Sequence, residues 1–133
     1  MWKAIVNALN GDASQSESIR EYNYEDVKQL VATPDSSRVL VDVREKDEYH
    51  EGFIPGAVNM PYRSTPKALS LNPQEFMQKF GFGKPSTDKE LIFYCASGFR
   101  ANNARNEAQE AGYFNTSVYP GSWKDWISRE DSD

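Results

Sequence analysis

A chain of 133 residues with 38% hydrophobic and 26% charged side chains has enough apolar material for one packed core and falls among globular rather than disordered sequences. Its net charge of −5 speaks against a surface that tracks a phosphate backbone, so nucleic acid is not an expected partner. A single cysteine, Cys95, leaves no internal disulfide and no dithiol redox pair, which fits an intracellular compartment; no apolar run reaches the length of a membrane span.

In chain order, residues 1–19 carry Trp2, Ile5, Val6 and Leu9 at helical spacing, followed by a polar Gly/Ser/Gln stretch. They read as a leader, a short helix and linker, with one Lys and no Arg to suggest a transit peptide. The domain proper is expected over residues 20–133. "NYEDVKQLVA" sets Tyr24, Val27, Leu30 and Val31 on one helical face behind Asn23 as N-cap. "RVLVDVRE" packs Val39, Leu40, Val41 and Val43 into a short run typical of a strand buried on both faces. After the turn residues Gly52, Pro55 and Gly56, a second short strand is expected through Ala57, Val58 and Met60. "LNPQEFMQKFGFGKP" reads as a helix capped by Asn72, with Pro73 in its first turn and Phe76, Met77 and Phe80 facing inward. "ELIFYC" is a third buried strand. Alanines 101, 104, 108 and 111 then form a narrow stripe on a helix that Gly112 ends. "TSVYPGSWKDWI" supplies a last strand and a terminal helix carrying Trp123 and Trp126, read as core that covers the end of the sheet. Strands alternating with helices predict an α/β domain with a largely parallel sheet covered on both faces. In such sheets the ligand site lies beyond the carboxyl ends of the strands, which is where Cys95 falls.

The stretch "CASGFR" has the makings of a nucleophile cradle. Ala96, Ser97 and Gly98 are small enough for backbone N–H groups to turn towards the sulfur, and a helix begins at the end of the loop. Convergent amides, a helix start and the guanidinium of Arg100 all favour an anion, hence the thiolate over the thiol. The competing reading is a core cysteine at a tight turn, with Arg100 merely solvated.

The segments "VLVDVRE", "EYHEGFIPGAVNMP", "CASGFR" and "YPGSWKDW" occur in that order over roughly residues 20 to 128. Together they resemble the rhodanese (thiosulfate sulfurtransferase) family, and most of all its small single-domain members from fungi and other eukaryotes. The resemblance implies a five-stranded, mostly parallel sheet flanked by helices on both faces. It also implies double displacement: Cys95 takes the outer sulfur of thiosulfate or a related donor, becomes a persulfide, and passes the sulfur to an acceptor. Glutathione, thioredoxin, another protein thiol and cyanide are all candidate acceptors. The persulfide is covalent, so no separate cofactor and no metal are expected. The family's active-site loop falls on Cys95, Ala96, Ser97, Gly98, Phe99 and Arg100, with Arg100 expected to face the anionic donor. Asp42 and Arg44 match its Asp-x-Arg and are read either as a charged pair that orients the site or as a surface salt bridge.

Two positions depart from the family pattern. Phe53 stands where histidine is common, and Ala96 where arginine or lysine is common, which weakens the pull on a dianion. His50, the only histidine, reads as an exposed helix residue, and Arg63 as a solvated loop residue. A Cdc25-like phosphatase or arsenate reductase would need five residues between cysteine and arginine, where this loop has four. A non-catalytic rhodanese module would usually lack the cysteine. "GFGKPS" fails as a P-loop because Pro85 takes the Ser/Thr position. The expected location is mitochondrial or cytoplasmic.

Overall fold

The computed structural model describes residues 20–97 and 99–131; the expected leader, residues 1–19, lies outside them. Five strands form one sheet: β1 (Arg20–Glu21), β2 (Arg38–Asp42), β3 (Val58–Asn59), β4 (Glu90–Tyr94) and β5 (Thr116–Val118). Their order across the sheet is β1-β5-β4-β2-β3, and every neighbouring pair is parallel. Between them run α1 (Tyr24–Ala32), α2 (Lys46–Glu51), a 3₁₀ turn (Ala68–Ser70), α3 (Pro73–Phe80), α4 (Phe99–Glu110) and α5 (Ser122–Asp131). The α/β pattern expected from the sequence is therefore the fold found. Its fifth strand, β1, is a two-residue edge strand that the apolar pattern did not reveal.

Helix starts follow the local chemistry. Asn23 accepts the N–H of Asp26 and the Asp26 carboxylate accepts the N–H of Asn23, a reciprocal cap; Asn72 and Glu75 repeat it at α3. Phe76 is fully buried and packs against Phe80 and Phe82. Met77 is the exception: it is about half exposed rather than inward, because an eight-residue helix docked through one Phe cluster has a narrower buried face than the pattern suggested.

Side-chain alternation along the central strands divides the core in two. Val41, Leu91, Phe93 and Val118 face the side where Ala101, Ala104 and Ala108 let α4 lie close to the sheet, with Phe76 alongside. Leu40, Ile92 and Tyr94 face the other side, where Val27 and Leu30 of α1 and Trp126 of α5 cover them. Burial on both faces explains why β2 and β4 read as continuous apolar runs. The strands' carboxyl ends place Asp42, Tyr94 and Cys95 at one end of the sheet.

Candidate active site

Cys95 follows directly on β4 and is 1% exposed, within the core cluster on the α4 side. Its backbone is held by the start of α5. The Cys95 N–H donates to Ser122 Oγ at 3.1 Å, and the Ser122 hydroxyl donates to the Tyr119 carbonyl at 2.9 Å. The Cys95 carbonyl accepts from the Trp123 N–H at 2.9 Å and the Ala96 carbonyl from the Lys124 N–H at 3.1 Å. A trans peptide carries its N–H opposite its C=O. With these two carbonyls turned to α5, the N–H groups of Ala96 and Ser97 point away from it, on the loop's other side. That is the arrangement an anion cradle needs, built here by a helix 27 residues further along the chain.

Two features of "YPGSW" make this junction possible. Ser122 is fully buried and sits at φ 62°, a backbone strain outweighed by its two hydrogen bonds. Gly121 has no room for a side chain: a Cβ there would lie 2.6 Å from Asp125 Cβ. Ser122 does not stand out in the sequence, because its partner is 27 residues away and a serine beside glycine is ordinary turn chemistry.

Arg100, in the first turn of α4, makes a two-pronged ion pair with Glu48 of α2. Nη1 donates to Oε1 at 2.8 Å and Nη2 to Oε2 at 3.2 Å. The hydrogen bonds from Arg100 hold the Glu48 carboxyl down to about 2, against the opposing effect of partial burial. Arg100 is raised by the same bonds and, more weakly, by the charge of Cys95. The loop arginine is thus not solvated, and the carboxylate that engages it lies 52 residues earlier in the chain. The signal available was the Glu45-x-x-Glu48 spacing of a helix start.

Asp42 and Arg44 are not a surface salt bridge. They are 0% and 3% exposed. Arg44 Nη2 donates to Asp42 Oδ2 at 2.7 Å and to the Gly52 carbonyl at 2.6 Å. Burial opposes the charge of Arg44, but the Asp42 bonds outweigh it and raise the guanidinium above its ordinary value. Its Cζ lies 4.8 Å from the centroid of the Trp123 ring, whose edge is 3.0 Å from where a Gly52 Cβ would stand. Tyr94 joins the pair. Its hydroxyl accepts the Ile54 N–H at 3.1 Å, and burial with Asp42 beside it pushes that hydroxyl far above the usual tyrosine range. Arg44, paired with Asp42, thus packs against Trp123 in the first turn of α5, the residue whose N–H donates to the Cys95 carbonyl.

Of the remaining residues, Ser97 and Phe99 are exposed, Phe99 at 84%, Ala96 is half-buried, and Gly98 lies outside the described residues. Phe53 stacks on Tyr49 with ring centroids 4.2 Å apart, so the position where the family often has histidine serves here as apolar packing. His50 and Arg63 are exposed, as read from the sequence. Trp126 is core, whereas Trp123 is half-buried between Gly52 and Arg44. Among the described residues no helix is long and apolar enough to cross a membrane.

The family model for the rhodanese-like domain matches residues 23–129. A thiosulfate:glutathione sulfurtransferase of Saccharomyces cerevisiae is 52% identical over 131 residues, which cover 96% of this chain and 94% of the relative. A mitochondrial thiosulfate sulfurtransferase of the same yeast is 44% identical over 84% of this chain and 75% of its own length. The crystal structure of a single-domain sulfurtransferase from S. cerevisiae superposes with a TM-score of 0.84 at 42% identity, covering 89% of this chain and 96% of that one. With a parallel five-stranded sheet that ends at a cysteine loop, and with these matches along most of its length, the chain belongs to the rhodanese-like domain family.

Proposed function

We propose that the protein is a sulfurtransferase that carries the sulfane sulfur of thiosulfate through a persulfide on Cys95 to a thiol, with glutathione as acceptor. The carrying observation is the loop: Cys95 stands at the carboxyl end of β4 with the neighbouring carbonyls tied back to α5, so that amide N–H groups are turned the other way. In the first half-reaction the Cys95 thiolate attacks the outer sulfur of thiosulfate. The S–S bond breaks, its electron pair leaves on sulfite, and Cys95 keeps the sulfur as a persulfide. In the second, a glutathione thiolate attacks the outer sulfur of the persulfide, forming glutathione hydropersulfide and regenerating the Cys95 thiolate. Cyanide can take the same sulfur as thiocyanate. Amide donors aimed at the outer sulfur stabilise the negative charge that rests on it between the two steps.

The choice of glutathione is supported by the name of the relative that is 52% identical, and a mitochondrial location by the name of the relative that is 44% identical. Four residues between Cys95 and Arg100 favour a single sulfur atom over a tetrahedral phosphate in the loop. Intact-mass measurement after incubation with thiosulfate tests the reading. The protein should gain one sulfur, lose it on adding glutathione, and gain none when Cys95 is replaced by serine. Hydrolysis of an aryl phosphate with no sulfur gained would overturn it.

A further inference from the structure

Arg100 is held before any ligand arrives. The Glu48 carboxylate takes one N–H from each terminal nitrogen of the guanidinium, and its Oε1 also accepts the Glu45 N–H at 2.8 Å. Three hydrogen bonds therefore fix the carboxylate on α2. The Arg100 side chain is largely buried and that of Glu48 is 37% exposed, so the pair spans the boundary between core and solvent. Arg100 also lies within electrostatic reach of Cys95 and of Glu45. Position 96 supplies no second cation, being alanine, and the charge of Arg44 is already cancelled by Asp42.

Resting on the sulfurtransferase reading, we propose that Glu48 is a positioning residue that sets donor charge: by holding Arg100 and cancelling its charge, it tunes the site away from dianionic sulfur donors and towards monoanionic ones. The chemistry is the same for both classes. Cys95 thiolate attacks the outer sulfur, the S–S bond breaks, and the electron pair leaves on sulfite from thiosulfate or on a sulfinate from an alkyl thiosulfonate. What differs is one unit of charge brought beside an anionic nucleophile. A guanidinium freed of its carboxylate would favour the more highly charged donor by about threefold to tenfold, the size of effect one extra nearby charge has in a partly solvated site. Glu48 acts through Arg100 and touches no substrate itself.

The test compares kcat/KM for thiosulfate and for methanethiosulfonate, with cyanide as common acceptor, in the full chain and its Glu48→Gln and Glu48→Asp variants. Glu48→Gln should raise the thiosulfate-to-thiosulfonate ratio about threefold to tenfold at low ionic strength, with the gain shrinking as salt is added. Glu48→Asp keeps the charge and should keep the ratio of the native protein. A measurement on the native protein stands beside these: its kcat/KM for thiosulfate should vary little with salt, since Arg100 is already neutralised. An unchanged or lower ratio in Glu48→Gln, an equal loss with both donors, or a steep fall of native thiosulfate activity with salt would each overturn the proposal. If neither donor sulfurates native Cys95, the sulfurtransferase reading fails and this inference falls with it. If both do and the ratio stays put, only the role of Glu48 fails.

Discussion

Replacing Ser122 with alanine would take away the acceptor of the Cys95 N–H and leave that amide buried. An unpaired buried donor costs about 1–3 kcal/mol, so the Ser122→Ala variant should unfold at lower urea. It should also transfer sulfur more slowly, because the cradle depends on the angle at which the loop leaves β4. Matching urea midpoints for the two proteins would show that a water replaces the hydroxyl without loss. At Arg100 the expected effect is one of function. Arg100→Ala removes the cation and leaves the Glu48 carboxylate uncompensated beside the loop. One uncancelled negative charge beside a dianionic donor in a partly solvated site should lower kcat/KM for thiosulfate about threefold to tenfold. The acceptor half-reaction should change less, since a thiol brings less charge than a dianion. Equal losses in both half-reactions, measured by rapid mixing, would place Arg100 in the folding of the loop rather than in donor binding.

At the scale of elements, what could be read from the sequence depended on how far apart the interacting residues lie. The caps at Asn23 and Asn72 are contacts over three residues, and the continuous apolar runs of β2 and β4 are local as well, so both were legible. The edge strand β1 was not. Arg20, the first of its two residues, and Tyr22, which follows it, are fixed by Glu90, 70 and 68 positions away, and no local pattern encodes that. The same holds at the site. Cys95 and Arg100 stand out by type and spacing and the Asp42–Arg44 pair through the family resemblance, whereas Ser122 and Glu48 matter through partners 27 and 52 residues distant. Glu90 offers a test of how β1 is held. Its carboxylate, almost fully buried at the start of β4, accepts from Arg20 at 2.6 Å, Tyr22 at 3.0 Å and Ser117 at 2.6 Å. Glu90→Ala leaves two buried hydroxyls short of a partner, and a loss of about 1–3 kcal/mol is expected. Hydrogen exchange should accelerate at the Tyr22 N–H, which donates to the Val118 carbonyl at 2.8 Å. Protection there equal to that of the native protein would mean that β1 is held by its backbone pairing to β5 alone.

For the molecule as a whole, the net charge of −5 is spread over carboxylates of which several are engaged by cations, and this fixes how stability responds to acid. Asp125 is lowered from its ordinary value: burial works against this, but bonds from Tyr119 and Arg129 prevail. Glu130 is lowered by Lys28 and Tyr24. Glu48 is lowered furthest, from an ordinary 4.5 to about 2, chiefly by Arg100. A carboxyl depressed in the folded state releases its proton more readily there than in the unfolded chain. Its contribution to stability is then complete above the unfolded value and is lost as the pH falls through the folded one. For Glu48 that window runs from about 4.5 down to about 2. The native protein should therefore melt at a higher temperature than Glu48→Gln at pH 6, and the gap should close progressively below pH 4.5 and vanish near pH 2. The pair is partly exposed, so added salt should narrow the gap at pH 6 as well. Melting curves of the two proteins across this range decide the matter. A gap that stays constant from pH 6 to pH 2 would mean that the difference does not come from the ionisation of Glu48 beside Arg100, because glutamine keeps the acceptor for the Glu45 N–H and loses only the ion pair.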